Sequence, residues 1–421
     1  MKIKKTFWIF LVLLLFTYII GRQYHFQLLN KAVYSILILI IISAIWTKLS
    51  LSHLVFSRKA RSLRKVAGQV FEERFRLENK SPFLKTWVEI VDLSRLPGQR
   101  GSRIMSWIGR REMRNYSVYT LLTQRGKFLL SPTKVKSGDP FGFFETSNIW
   151  QENQWLVVLP NRYRINQFPL PSGYLPGGKS IRKRTAAITP HAAGIRQYLP
   201  GDSMNRIHWK KTAQRGELLT KEFEEDPQSD IWIILDSQGS SHSRQESEPQ
   251  GQNVDRFWGL KEKSTYELPC DSYEYAVSVV ATIADYFIRV GQGVGLHDVG
   301  RHFLILPPEK GYRQLEKILE TLAFVTPDGD PTLEMGIMSQ IDQILPGSLV
   351  IVIATHQSQG IARSAESLKL RKIQSMYILI DTASFEGSET KIVENELRLK
   401  KMGIETKTIS YQDSIPAILQ N

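Results

Sequence analysis

Between Arg196 and Glu224 the chain places both signs of charge beside large aromatic rings. Arg196, Arg206, Lys210 and Lys221 stand among Tyr198, Trp209 and Phe223, with Asp202, His208, Glu222 and Glu224 interspersed. Guanidinium groups fork onto carboxylate or phosphate oxygens, so these residues suit a charged docking surface for a partner, or an anion site. The plainer alternative is that Arg196, Arg206 and Glu222 or Glu224 form ion pairs pinning a helix to a sheet. Other chemistry finds less support. Gly173 to Ser180 fits the spacing of a phosphate-binding loop, which would make the protein a nucleotide-binding enzyme. That loop needs a strand before it and a helix after it, so that amides and helix dipole meet the phosphates. Pro169 and Pro171 precede the segment and Pro190 follows, which disfavours both elements. Ser203 lacks the second glycine of a nucleophile elbow, Cys270 has no nearby His pattern, and no His/Cys cluster has zinc spacing. No catalytic residue is therefore assigned.

The elements that must position these residues can be read in order. Tyr198–Asp202 is a turn, and Asp202 is suited to cap a helix starting at Ser203. The helix is expected to run to about Ala213 and stop near Gly216, displaying Arg206, His208, Lys210 and Lys211. ELLTKEFEED follows as an extended, acidic stretch. IWIILD (231–236) is a fully apolar run of the kind found in central parallel strands. Beyond it, helical and strand patterns alternate. Ser272 to Val290, Tyr312 to Phe324, 362–372 and Val393 to Lys401 read as helices. HFLIL, SLVIVIA, MYILID and IETKTI read as strands, the last at an edge. Such alternation predicts a parallel sheet covered on both faces. The polar stretch from Ser237 to Glu267 is too poor in apolar residues for a core and is expected to lie over the strand ends.

Charge is unevenly spread over the 421 residues, whose net charge is +14. Residues 1–65 carry eleven Lys/Arg and no acid, and residues 227–421 are net acidic. A basic first half points to an anionic membrane leaflet, each basic residue near such a surface being worth roughly 1 kcal/mol. Binding of anionic lipid or nucleic acid by this half is the alternative use. Nucleic acid is not expected, because aromatic and basic residues do not interleave in a recognisable module. Two uncharged apolar runs, bracketed by Lys5 and Arg22 and by Lys31 and Lys48, predict a transmembrane hairpin within 1–57. Lys2, Lys4 and Lys5 precede it, and Arg58, Lys59, Arg61, Arg64 and Lys65 follow. The positive-inside rule then places both ends, and the soluble domains, on the cytoplasmic side of the membrane. One cysteine, Cys270, excludes an intrachain disulfide and suits that compartment.

Residues 58–165 read as a small all-β domain. Phe71, Phe75 and Leu77 share one face with Arg74 and Arg76 opposite. YSVYTLL (116–122) and KFLLS (127–131) flank Gln124-Arg125-Gly126 as an expected hairpin, SGDPFGFFE (137–145) is a turn, and QWLVVLP is a strand. A linker with the basic helix (166–230) and an α/β domain (231–421) complete the expected organisation.

The long run Arg196-x-Tyr198-x-Pro200-Gly201-Asp202, then Arg206 to Lys210 with Thr212-Ala213, then Lys221 to Glu224, resembles the signature of family fifty-eight of the bacterial domains of unknown function. Arg125-Gly126 and Asp139-Pro140-Phe141-Gly142 resemble that family's upstream turns. Gln214 departs from it, standing where the family commonly carries Arg. The resemblance implies a membrane protein with a C-terminal von Willebrand factor A-like domain, associated with MoxR-type AAA+ ATPases that act in maturing or inserting other proteins. Such a domain would bind Mg²⁺ at a metal-ion-dependent adhesion site through D-x-S-x-S. Here Asp236, Gln238 and Ser240 stand at those positions, with Gln238 replacing the middle serine. Thr355 and His356 stand where a further acid would be expected, so the implied site is degenerate.

Overall fold

Two runs without interior charge have one way to satisfy their backbones in an apolar medium, which is to form helices. They do: α1 spans Lys5–Gln23 and α2 spans Gln27–Ser50. At 1.5 Å per residue these are about 28 and 36 Å long, enough to cross a bilayer core. α2 extends beyond both bracketing lysines, so Lys31 and Lys48 lie on the helix and would snorkel from it in a span. The helices meet closely where α1 ends: a Cβ on Gly21 would lie 2.9 Å from Asn30 Oδ1.

The computed structural model describes residues 1–24, 27–98, 101–171, 184–185, 192–200, 202–224, 230–245, 266–345, 347–388 and 394–421. It divides into two units, Met1–Leu159 with Pro249–Glu267, and Pro160–Glu248 with Leu268–Asn421.

In the first unit β1 (Lys2–Ile3) precedes α1, and the strands after α2 are β2 (Leu54–Ala60), β3 (Arg64–Val66), β4 (Val70–Asn79), β5 (Lys85–Asp92), β6 (Arg103–Ile108), β7 (Met113–Leu121), β8 (Gly126–Leu129), β9 (Thr133–Gly138), β10 (Phe144–Trp150) and β11 (Trp155–Leu159). One sheet runs β1-β10-β9-β5-β6; β2-β4-β7 and β3-β11-β8 form two others. Alternation decides which faces are buried. Phe75 and Leu77 on β4, with Leu54 and Phe56 on β2, meet Val88, Ile90, Met105, Ile108 and Val135 from the five-stranded sheet. Phe71 joins a second cluster with Leu130, Leu156 and Val158. Arg74 and Arg76 face outward, as their positions predict. The expected 116–131 hairpin does not form. β7 pairs with β4 and β8 pairs with β11, because the amide of Leu122 donates to Gln69 and the chain then passes to another sheet. Turn residues between two apolar runs mark a reversal without fixing which strand each run joins.

The second unit holds β12 (Arg184–Thr185), β13 (Ala192–Gln197), α3 (Trp209–Arg215) and β14 (Leu219–Glu224), in a sheet ordered β12-β14-β13. It continues with β15 (Ile231–Asp236), α4 (Ser272–Arg289), β16 (Val294–Val299), β17 (Leu304–Glu309), α5 (Tyr312–Phe324), α6 (Leu333–Gln340), β18 (Leu349–Thr355), α7 (Ile361–Leu370), β19 (Gln374–Ile380), α8 (Thr382–Phe385), α9 (Glu394–Lys401), β20 (Glu405–Ile409) and α10 (Ile415–Gln420). The sheet order is β17-β16-β15-β18-β19-β20, parallel throughout except for β17. β15 is buried at every position, as an apolar central strand must be. Pro307 and Pro308 explain why β17 lies at an edge, since prolines cannot donate to a further strand. β20 forms the other edge, as expected.

Candidate functional site

In a sheet of this order the chain winds outward in both directions from β15 and β18. The carboxyl ends of such neighbouring strands are the usual ligand position in folds of this kind; here they are closed over by buried polar side chains. Asp236 ends β15 and is fully buried. Its Oδ2 accepts from the Ser358 hydroxyl, three residues beyond β18, and its Oδ1 accepts from the Gln238 amide at 3.1 Å. Burial pushes the Asp236 carboxyl above its ordinary range, against the Ser358 hydrogen bond and nearby His242. The next hydroxyl, Ser237 Oγ, donates to Asp298 on β16 and lies 2.7 Å from Tyr273 Oη. His242 Nε2 lies 2.9 Å from the Asp236 carbonyl oxygen, so it carries the proton, and Nδ1 lies 3.3 Å from Ser272 Oγ. Burial holds His242 below its ordinary value, consistent with this neutral tautomer.

The strand-end network therefore engages its own polar groups. Gln238 Oε1 accepts from Ser241 Oγ at 3.1 Å, and Ser240 is exposed. With both Asp236 oxygens and the Gln238 amide oxygen turned to protein donors, Asp236, Gln238 and Ser240 do not fit a shared Mg²⁺ in this arrangement. No group of three His, Cys, Asp or Glu among the described residues is placed to hold a metal. Ser358, Asp298, Tyr273 and His242 were not singled out by sequence. For Ser358 and Asp298 the available signal was position, at or just past the carboxyl ends of β18 and β16, whereas Tyr273 stands in the first turn of α4.

The second site is the stretch from Arg196 to Lys221. Arg196 forks onto Asp202, Nη1 to Oδ2 at 2.8 Å and Nη2 to Oδ1 at 2.7 Å. The amide of Leu199 also donates to Asp202 Oδ2, at 3.0 Å. The Arg196 hydrogen bond and the Leu199 amide hold the Asp202 carboxyl below its usual range. Asp202 thus closes the 198–202 turn and caps no helix. Met204–Arg206 form a single 3₁₀ turn, and α3 begins only at Trp209, where His208 Nδ1 accepts from the Lys211 amide at 3.3 Å. The long helix expected from Ser203 is corrected accordingly. Its stop is where sequence placed it: Gly216 takes the left-handed conformation at φ 73°. Arg196 engages Asp202; the alternative pairing with Glu222 or Glu224 involves side chains that fall outside the described residues.

This framework leaves apolar side chains facing outward. Leu199, Met204, Trp209 and Leu218 are 59, 71, 64 and 47% exposed. Lys210 and Lys211 are exposed on α3, while Tyr198, Arg206, His208 and Lys221 are half-buried. Glu222, Phe223 and Glu224 lie on β14, paired with β12 and β13; their side chains fall outside the described residues. The Gly173–Ser180 loop lies wholly outside them.

Fold and sites define a class: an α/β unit with a buried strand-end polar network, on a chain that also carries two apolar helices of membrane-spanning length. Residues 194–256 match a family described as "Protein of unknown function DUF58". The uncharacterised YeaD protein of Bacillus subtilis (strain 168) is 24% identical over 288 residues, covering 65% of this chain and 63% of that protein. The match thus spans less than two thirds of that relative's length. Both are likenesses over part of the chain. Among solved structures, the CARDB domain of a Pyrococcus furiosus protein in complex with di-metal ions aligns at 10% identity. It covers 25% of this chain and 87% of that one, with a TM-score of 0.20. The C-terminal domain of wzt aligns at 12% identity over 25% of this chain and 73% of its own, also at 0.20. Scores this low carry no argument about fold.

Proposed function

We propose that this protein is a membrane-tethered interaction protein whose 196–221 surface docks a protein partner. The observation that carries the reading is the exposure of Trp209 and Met204 on a turn-and-helix element fixed by the Arg196–Asp202 fork. A large aromatic held outward on a rigid support, ringed by polar groups, has the makeup of a binding hot spot. The signature resemblance extends the reading to a MoxR-type AAA+ ATPase as partner, in the maturation or assembly of other proteins. The sheet order with an antiparallel outer strand supports a von Willebrand factor A-like second unit, whose strand-end network serves as a structural knot. The basic flanks of α1 and α2 support two spans in the bacterial plasma membrane, with the soluble units in the cytoplasm.

The test is co-purification from solubilised membranes. Intact protein is expected to recover an AAA+ ATPase. Trp209→Ala with Met204→Ser is expected to lose that recovery while leaving expression and thermal stability near wild type, because both residues are exposed. Equal recovery by the double variant, or substrate turnover by the purified protein alone, would count against the proposal.

A further inference from the structure

Strand register gathers three turns at one end of the first unit. Leu54 on β2 stands opposite Asn79 on β4, Glu78 opposite Met113 on β7, Lys85 on β5 opposite Ile108 on β6, and Val88 opposite Ser137 on β9. The β4–β5, β6–β7 and β9–β10 turns therefore share the end from which both helices emerge. β1 pairs with β10 just before α1, and Lys85 Nζ donates to the Leu49 carbonyl at the close of α2, at 2.7 Å.

Each turn or its flank holds an apolar side chain outward. Phe83 is 56% exposed, Trp107 66% and Phe141 55%. All three are held there by specific contacts. Trp107 has φ 55°, an uncommon conformation for a bulky residue, and its carbonyl accepts from Arg114 at 2.8 Å. The Asp139 carboxylate accepts from the amides of Phe141 (2.9 Å) and Phe143 (3.1 Å), and Thr6 Oγ1 donates to the Gly142 carbonyl at 2.6 Å, tying that turn to the start of α1. The ring of Phe143 lies 5.1 Å from that of Phe10 on α1. Beside α2 a cavity of about 200 Å³ opens between Ile42, Ile45, Trp46 and Leu49 on one side and Phe83 and Leu84 on the other. Ile42, Ile45 and Leu49 are themselves exposed, so whatever medium covers α2 reaches this cavity. Basic residues complete the end: Arg110 and Arg111 at the β6–β7 tip, Lys80 in the β4–β5 turn and Lys48 on α2 are exposed.

We infer that this end of the β-sandwich rests in the headgroup layer of an anionic phospholipid bilayer, with Phe83, Trp107 and Phe141 as interfacial anchors and an acyl chain in the cavity beside α2. The inference builds on the reading of α1 and α2 as membrane spans. Interfacial aromatics with basic neighbours are the residues such a layer favours. Lipid is the occupant because the cavity beside Phe83 is walled by exposed Ile42, Ile45 and Leu49 of α2, and Phe143, stacked on Phe141, meets Phe10 of α1.

The test uses the full chain with Cys270→Ser, reconstituted in phosphatidylcholine–phosphatidylglycerol vesicles. Single cysteines at Phe83→Cys, Trp107→Cys and Phe141→Cys carry an environment-sensitive fluorophore. Leu93→Cys, 44% exposed at the opposite end, and Ile38→Cys, midway along α2, serve as references. Blue-shifted emission at positions 83, 107 and 141, quenched by headgroup-region nitroxide lipids and absent at 93, is the expected result. Aqueous emission at the three turns with a lipid-quenched label at position 38 would overturn this inference and leave the spans intact. An aqueous label at position 38 would instead overturn the spans themselves. Blue-shifted turns that lipid nitroxides fail to quench would mean another protein covers this end, and would also overturn it.

Discussion

Arg58 sits 5% exposed inside the β-sandwich and binds two buried carboxylates at once. Its Nε and Nη2 reach Glu73 at 2.7 and 3.0 Å, and Nη1 and Nη2 reach Asp92 at 2.9 and 3.2 Å. Burial pushes the Glu73 carboxyl up, with Arg58 opposing the shift. Asp92 keeps amide donors from Ser94 and Gly101 if the guanidinium is lost, whereas Glu73 loses both of its guanidinium bonds. Removing one partner of a buried ion pair costs about 3–5 kcal/mol, while replacing the pair by apolar groups can be near neutral. Arg58→Met is expected to lower the denaturation midpoint sharply, and Arg58→Met with Glu73→Leu to recover most of the loss. Equal losses in the two variants, measured by urea denaturation in detergent, would refute the ion-pair account. His297 on β16 presents a different case. It is 1% exposed, has no hydrogen-bond partner for either nitrogen among the described residues, and burial pushes its pKa down to about 4. Its ordinary value is 6.5, so between these two values the unfolded chain binds a proton that the folded chain does not. Stability is then present at neutral pH and lost as pH falls through that window, by about 2 kcal/mol between pH 7 and 5. His297→Leu is expected to flatten that decline in denaturation midpoints measured at the two pH values; an unchanged slope would place the acid sensitivity elsewhere, His356 being the next candidate because burial also lowers it.

Elements succeed or fail as expectations according to how local their causes are. α4 begins where Asp271 accepts from the amides of Tyr273 (2.9 Å) and Glu274 (3.4 Å), a cap made within one turn. Asp271→Ala is expected to cost about 1 kcal/mol of helix stability, read as faster amide exchange in the first turn of α4; unchanged exchange there would mean packing alone sets the boundary. The same logic misled at Asp202, whose side-chain chemistry suits a cap equally well. There Arg196, six residues away, competes for both carboxylate oxygens and wins with a charge-assisted fork. Periodicity located α4, α5, β15, β18 and β19 within a residue or two, because burial on one or both faces writes itself into the order of apolar residues. Pairing partners carry no such mark, which is why 116–122 and 127–131 looked like one hairpin. The network around Asp236 was half legible. Asp236 is announced by the strand it ends, whereas Ser358, Asp298 and Tyr273 reach it only through the sheet's winding order.

At the scale of the whole molecule, the two apolar helices and the β-sandwich constrain one another. Lys2 pairs with Glu145 and Ile3 with Phe144, so the segment before α1 is built into the same sandwich that follows α2. A chain whose residues on either side of a helical pair share one sheet must cross a membrane an even number of times between them. If α1 and α2 each cross once, as proposed, the connector near Tyr24, 66% exposed, is expected on the opposite face from Leu93 in the sandwich. On the proposed reading of two spans, the bias of lysine and arginine toward both outer flanks is expected to keep the sandwich inside the cell. Intact cells carrying Tyr24→Cys in a Cys270→Ser background are expected to react with a membrane-impermeant maleimide. Cells carrying Leu93→Cys are expected to react only after lysis. The reverse pattern would keep the helical pair and overturn its orientation. Reaction of both cysteines in intact cells would break the pair itself, since the sheet that joins Lys2 to Glu145 leaves no arrangement in which a single crossing separates them.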